Sequence, residues 1–421
     1  MSGAVAAHAA YNGSGTQGLA VTNKIQDEDS DVMSVFWNKN DTTRQLLHGS
    51  TVIEIPSSSG TGGGSQVNST QIFDINNDID CLGDMYIELS IAAGVNSQNI
   101  SPHEMTKIIN RVEFQVGTQI WQTLEHHDLI ALASTEMSEG SYYDYSVQSS
   151  GFVDLVGARE TSALAISNTG SVVTASSTDG VLAYIPIKAF TKTLSPELQF
   201  YSEQIESGYL MAAAPNQQVK VKVFTNTVGQ ALPTSMAAAV LDVRLFAKTI
   251  VMCNEEREQM KRMPMGLPKR IKTTQNANLS MAGGSNVVQT IDLDHFSLYT
   301  SHLLITVPSG KFTKVDSLEL LLNSSSFSGA LPISLLKIMG ASMNLYTNNF
   351  TAYQTDIDGF DTIVFPLASR AYSGSSVPLN RFDNIRLRVK YNGAASDNIN
   401  ITCVGETTAL YKGGASSLAM Y

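Results

Sequence analysis

A chain of 421 residues with 43% hydrophobic content is long enough for two or three domains and too apolar to be disordered as a whole. Only 15% of its residues are charged and the net charge is −11, which excludes a dominant phosphate-binding role. Ser, Thr, Asn, Gln and Gly must therefore cover the surface, and a lightly charged surface costs little to desolvate against a neighbour.

In chain order, residues 1–30 are rich in Ala, Gly, Ser and Asn and run into the acidic stretch Asp27-Glu28-Asp29-Ser30-Asp31. They read as an extended arm, ordered only when docked. Ser57 to Ser65 reads as a flexible loop. Period-two segments follow. Met85, Ile87, Leu89 and Ile91 share one face, with Tyr86, Glu88 and Ser90 on the other. Val219, Val221 and Val223 alternate with Lys220 and Lys222, and Leu241, Val243 and Leu245 with Asp242 and Arg244. Ile385, Leu387 and Val389 alternate with Arg386, Arg388 and Lys390. Each is a half-buried strand with one wet face, the pattern of antiparallel sheets.

Further strands are expected at Thr51–Ile55, Arg111–Val116, Leu182–Ile187, Val287–Leu293, His302–Val307, Ser317–Leu322, Met343–Tyr346, Thr362–Phe365 and Ile399–Val404. Helices are expected only at Leu124–Met137 and Glu255–Met263. Many short strands with polar loops and no repeated strand–helix alternation predict an all-β fold of tandem eight-stranded jelly rolls. Pro264-Met-Gly-Leu-Pro268 cannot continue a helix, so the break falls there. The expected division is an arm at 1–30, a first jelly roll at 31–263, a linker at 264–268 and a second jelly roll at 269–421. Longer loop insertions are expected between about 135 and 180.

Candidate chemistry is sparse. Gly60-x-Gly62-Gly63-Gly64 lacks the Gly-Lys-Ser/Thr of a phosphate loop. Asp74-x-Asn76-x-Asp78-x-Asp80 begins like a calcium loop, but Ile79 stands where the turn glycine belongs and Met85 where the bidentate glutamate belongs. His126-His127-Asp128 is the one histidine cluster, and adjacent helical residues point about 100° apart, so the imidazoles do not converge on a metal. These histidines read as surface or interface residues at a helix start. Cys81, Cys253 and Cys403 are far apart and odd in number, which fits folding in a reducing compartment. No basic region followed by an apolar run opens the chain, and no stretch approaches the roughly 18 apolar residues of a membrane span. The expectation is a soluble protein that folds inside a cell, without cofactor, metal or active site. Trp37 and Trp121 with the tyrosines are the aromatic set a carbohydrate groove would draw on.

Arg257, Lys261, Arg262, Lys269, Arg270 and Lys272 form a local basic stretch. Such a run is ordinarily a solvated face or linker. Its functional reading is an inner surface facing anionic lipid, nucleic acid or acidic partner proteins.

Several landmarks resemble a known family. Gly83-Asp84 opens the apolar strand GDMYIELSI, and Ile108 to Asp128 is a polar-aliphatic strand leading into a helix. Tyr184-Ile-Pro-Ile187 is followed by Leu194 and Leu198. The stretch Leu241 to Met263 runs from a strand straight into an acidic-basic "EER" helix. Val377 to Arg388 (VPLNRFDNIRLR) is a turn entering a strand, and Tyr411 precedes a glycine-rich tail. In this order and spacing they resemble the double jelly-roll major capsid proteins of eukaryotic double-stranded DNA viruses. Both the large nucleocytoplasmic type and smaller polinton-like or virophage relatives are represented in that resemblance. The glycine-rich and aromatic signature of the giant-virus versions is not legible before residue 50.

The resemblance implies a structural protein of the virion, assembled in the infected host cell: homotrimers shaped as pseudo-hexagons, six lobes from three chains, tiling an icosahedral shell. Implied partners are other copies, neighbouring capsomers, minor capsid and penton proteins and an internal membrane, with no sequence-specific nucleic-acid binding. The arm and the basic stretch are then expected on the inner face. The competing readings are a lectin-like jelly roll that binds carbohydrate, or a virion spike protein.

Overall fold

Period-two alternation decides this architecture, because each strand buries every second side chain and must find a facing sheet to cover it. The computed structural model describes residues 49–58, 68–75, 79–91, 98–100, 104–136, 173–175, 181–189, 208–226, 241–251, 257, 267–308, 314–342, 360–368, 376–393, 396–412 and 415–419. In the first half these form β1 (Gly49–Ile55), β2 (Thr70–Ile75), β3 (Cys81–Ile91), β4 (Gln98–Ile100), β5 (Ile109–Val116) and β6 (Gln119–Glu125). The helix α1 (His126–Glu136) follows, then β7 (Val173–Ala175), β8 (Val181–Ile187), β9 (Tyr209–Leu210), β10 (Val219–Thr225) and β11 (Leu241–Val251).

The second half holds β12 (Leu267–Met281), β13 (Val287–Asp292), β14 (Tyr299–Pro308), β15 (Val315–Leu322), β16 (Ser325–Ser326) and β17 (Leu331–Pro332). After the helix α2 (Ile333–Ser342) come β18 (Phe360–Pro366), β19 (Val377–Pro378), β20 (Ile385–Tyr391), β21 (Asp397–Lys412) and β22 (Ala415–Ala419).

The antiparallel sheets run β1-β11-β3-β8 and β2-β10-β5-β6 in the first half, and β12-β21-β14-β18 and β13-β20-β15-β16 in the second. Counting the eight principal strands of each half in chain order, both halves read 1-8-3-6 facing 2-7-4-5. That interleaving is a jelly roll, and it occurs twice. Each half also places its helix in the same connection, between the fifth and sixth principal strands.

The expected alternation is realised. Val219, Val221 and Val223 of β10 are fully buried, as are Leu387 and Val389 of β20. The wet face of β20 carries cross-strand ion pairs: Arg386 to Asp292 at 2.8 Å, Arg388 to Glu319 at 2.8 Å and Lys390 to Asp316 at 3.1 Å. These half-exposed pairs add little stability but mark a solvent-facing sheet.

Three elements are the main departures from expectation. Leu124 and Glu125 end a strand, and the helix begins only at His126, because Gln119–Glu125 pairs with β5 before the chain turns. β12 was not foreseen; it opens at Leu267, so Leu267 and Pro268 of the expected linker stand in a strand. Its polar sequence hides it, since much of its length faces other polar groups. The helix α2 was likewise unforeseen. The expected strand Met343–Tyr346 lies outside the described residues, as does all of Glu255–Met263 except Arg257, which is helical. Of the expected insertions, β7 is described, paired with β4.

The two cores are not separate along the chain. One centres on the first barrel yet includes Ile271, Leu304, Val364, Val404, Ala409 and Tyr411 from the second half. The other belongs to the second barrel and takes Met281, Ile399, Ile401 and Cys403 from the same long strands. β12 and β21 pair over fifteen positions, from Leu267 with Tyr411 to Met281 with Asp397, and so serve both cores. Gly405 sits at the close approach of β21 to β14, where a Cβ would lie 2.6 Å from the Tyr299 carbonyl oxygen.

Candidate functional site

With no catalytic constellation legible in the sequence, the informative places are the surfaces by which barrels meet. The first is internal. The outer face of β12-β21-β14-β18 presents two rows of directly opposed residues, Asn276-Thr402-Leu304-Val364 and Thr274-Val404-His302-Pro366. On an isolated barrel this face would be wet. Here α1 packs against β14 and β18, and Leu304, Val364 and Val404 are at most 2% exposed.

The spacing of four puts Asp128, Leu132 and Glu136 on one stripe of α1. Asp128 is completely buried. Its Oδ2 accepts the backbone N–H of Glu125 at 2.7 Å, which caps the helix start, and the side-chain amide of Asn276 at 2.5 Å. Its Oδ1 accepts the Thr402 hydroxyl. One carboxylate thus starts the helix of the first barrel and grips two strands of the second. Burial pushes its carboxyl up to about 6, against these hydrogen bonds, which pull the other way.

At the far end of the stripe both Glu136 oxygens lie 2.5 Å from Nζ of Lys272, which also donates to the Lys188 carbonyl at 3.1 Å. Both side chains are fully buried. Burial pulls the Lys272 ammonium down and Glu136 pushes back. Gln122 donates to Thr274 at 3.1 Å, Gln217 donates to the Ser416 carbonyl at 2.9 Å, and the Tyr209 and Ser416 hydroxyls lie 2.6 Å apart. The seam is thus largely polar and densely bonded, which fixes one relative placement of the barrels.

Of the histidines read as surface or interface residues, His127 lies beside the seam carboxylate, its Nε2 3.5 Å from Oδ1 of Asp128; His302 stands on the seam face itself. His127 is 2% exposed and His302 fully buried. Desolvation lowers His127 to about 4, opposed by Glu125, and lowers His302 to about 3, aided by Lys272. His126, edge-on to His127 at 5.4 Å, is also lowered to about 4, by burial first and then by His127 and Lys107.

The signs give a pH window. A free histidine titrates near 6.5, so from there down to about 4 the unfolded chain takes protons that the folded seam refuses. That stability is full above 6.5 and lost as pH falls. Asp128 opposes it, because its folded value exceeds 3.8, and its cost at neutral pH is relieved between about 6 and 3.8. With His126, His127 and His302 against Asp128, the net is two protons, or about 2.7 kcal/mol per pH unit. The denaturation midpoint is therefore expected to fall between pH 6 and 4, and to fall more steeply in Asp128→Asn. A flat profile over that window contradicts the neutral buried histidines.

Of the six basic residues, Lys272 and Arg257 are those with described side chains. Lys272 is the correction: expected on an inner face, it is fully buried in the seam, where only an ion pair makes an ammonium tolerable. Arg257 is part-exposed and forks onto Asp80, with Nε 2.5 Å from Oδ1 and Nη2 2.7 Å from Oδ2. Asp80 of the calcium-like run is thereby engaged. Lys269 and Arg270 stand on β12, while Lys261 and Arg262 lie outside the described residues. Trp121 is 5% exposed and stacks edge-on with Tyr209 at 5.2 Å, so it lines no groove; Trp37 lies outside the described residues. Among the described residues no three His, Cys, Asp or Glu side chains are grouped to hold a metal, and no helix is long and apolar enough to cross a membrane.

No family model matches the chain, and no curated protein matches it in sequence. Solved structures do match. VP54 of PBCV-1, as fitted into a reconstruction of the virophage Sputnik, has a TM-score of 0.66 at 14% identity, covering 90% of this chain and 98% of that one. The Faustovirus major capsid protein has a TM-score of 0.57 at 9% identity, covering 96% of both chains. The STIV MCP gives 0.53 at 9% identity, covering 85% of this chain and 96% of that one. The match spans both barrels and the seam, and at these identities it is a likeness of fold: the chain is a double jelly roll.

Proposed function

We propose that this chain is a major capsid protein, a structural protein without enzymatic activity. Three copies form a pseudo-hexagonal capsomer, and capsomers tile the icosahedral shell of a virion assembled in the infected host cell. The observation that carries this reading is the rigid tandem. One chain presents two jelly rolls of the same strand order, locked by a buried polar seam. Three such chains supply six similar lobes, and rotational symmetry fixes their contacts. The capsid proteins sharing the fold over nine-tenths of the chain support the same reading.

A lectin needs one accessible groove and one barrel, and the buried Trp121 offers it nothing. We assign residues 1–30 as an arm and place the domain division at 264–268, between a first jelly roll of 31–263 and a second of 269–421. Arm and basic residues Arg257, Lys261, Arg262, Lys269 and Arg270 are assigned to the inner face, towards minor capsid and penton proteins and an internal membrane. Electron microscopy of the expressed protein tests the whole: pseudo-hexagonal capsomers and closed shells or hexagonal arrays are expected. Deleting residues 1–30 is expected to leave capsomers intact and lower shell yield. Dispersed single chains that bind glycan overturn the capsid reading, and full shell yield without the arm removes the arm's role.

A further inference from the structure

The internal repeat predicts a second seam. In the first barrel, α1 packs on its own β5, β6 and β8 and also buries a stripe on the outer face of β12-β21-β14-β18. In the second barrel, α2 occupies the same connection and packs on its own β15, β17 and β18. Ile333 and Leu336 turn inward, and Leu335 and Ile338, three apart on the opposite side, are 40% and 69% exposed. Leu335 is the third residue of α2, as Asp128 is of α1.

The surface equivalent to the one α1 covers is exposed in part: Glu88 and Pro186 on it are buried, whereas Val52, Glu54, Arg244 and Tyr184 are exposed. The outer face of β1-β11-β3-β8 carries the opposed row Glu54-Phe246-Tyr86-Pro186 and beside it Arg244-Glu88-Tyr184. Val52 and Tyr184 on that face are 55% and 36% exposed, and the rings of Tyr184 and Phe246 lie 6.3 Å apart. Of the eight large hydrophobic residues exposed among the described residues, four lie on these two surfaces: Val52, Tyr184, Leu335 and Ile338. The contrast with the second barrel is direct, because the corresponding Leu304, Val404 and Val364 are buried.

We propose that α2 of one copy seats through Leu335 and Ile338 on the outer β1-β11-β3-β8 face of the next copy, around Val52, Tyr184 and Phe246. This repeats between chains the seam that α1 makes within each. Each chain carries one helix to give and one face to receive, so the contact is head-to-tail and forms a ring where its rotation closes. Only the number three rests on the capsid reading.

Hydroxyl-radical footprinting of the assembled and the diluted, dissociated protein tests it. Val52, Tyr184, Leu335 and Ile338 are expected to lose reactivity on assembly, while Val288 and Phe327, exposed elsewhere, keep theirs. Ile338→Asp and Val52→Asp are each expected to lower the assembled fraction at fixed concentration at least tenfold, and Val288→Asp to leave it unchanged. Trimers in which both surfaces stay reactive, or which tolerate both aspartates, overturn the seam and leave the capsid reading standing. Protection of both surfaces in a ring of another size supports the seam and overturns the trimer.

Discussion

Glu136→Gln is expected to destabilise the chain by about 3–5 kcal/mol, far more than a surface charge change, because it leaves the Lys272 ammonium buried without its counter-charge. Glu136 stands in the last turn of α1, where the helix dipole disfavours a carboxylate. Its presence there makes sense only through Lys272. The partner substitution Lys272→Met strands the carboxylate and is expected to cost a similar amount. Replacing both, Glu136→Leu with Lys272→Met, is expected to recover most of the loss, since a buried pair exchanged for apolar groups of like volume is often nearly neutral. Denaturation of the wild type, Glu136→Leu, Lys272→Met and the double variant, followed by tryptophan fluorescence, gives the coupling. Costs that simply add in the double variant contradict the pairing.

The second large effect is expected at a distance along the chain. Tyr411→Ala changes the last principal strand of the second barrel, β21, yet the barrel expected to weaken is the first. Tyr411 is 2% exposed in the first barrel's core, 5.7 Å ring-to-ring from Tyr209, and its hydroxyl accepts the Leu210 N–H at 3.2 Å. Removing a buried aromatic ring of this size costs about 3–5 kcal/mol. Tyr411→Phe, which leaves the Leu210 N–H without the hydroxyl, is expected to cost about 1–3 kcal/mol. Hydrogen exchange resolves the location. Faster exchange in β3, β5 and β10, with β15 and β20 unchanged, is the expected outcome, and the reverse contradicts the shared core.

What the sequence revealed followed from periodicity. β3, β10, β11 and β20 alternate cleanly because one face meets a core and the other meets water. β12 does not alternate that way, because its outward Lys272, Thr274 and Asn276 meet α1 and β6 instead of water. A basic, polar strand then reads as a linker beside a charged patch. Lys272 went astray for the same reason: a single sequence shows its charge but not Glu136, 136 positions away. Asp128 left a trace, an acid in the first turn after two histidines, yet nothing local points to Asn276 or Thr402. The family landmarks pointed to two jelly rolls in tandem and to a break near 264–268. They could not locate the seam, which is built from pairs remote in sequence.

The mass of the purified protein in solution tests the central claim most directly. Self-assembly through two jelly rolls per chain predicts a closed particle of three chains, stable without added ligand and indifferent to chelators. A protein that stays at the mass of one chain at every concentration, or that stops at a two-fold dimer, contradicts it.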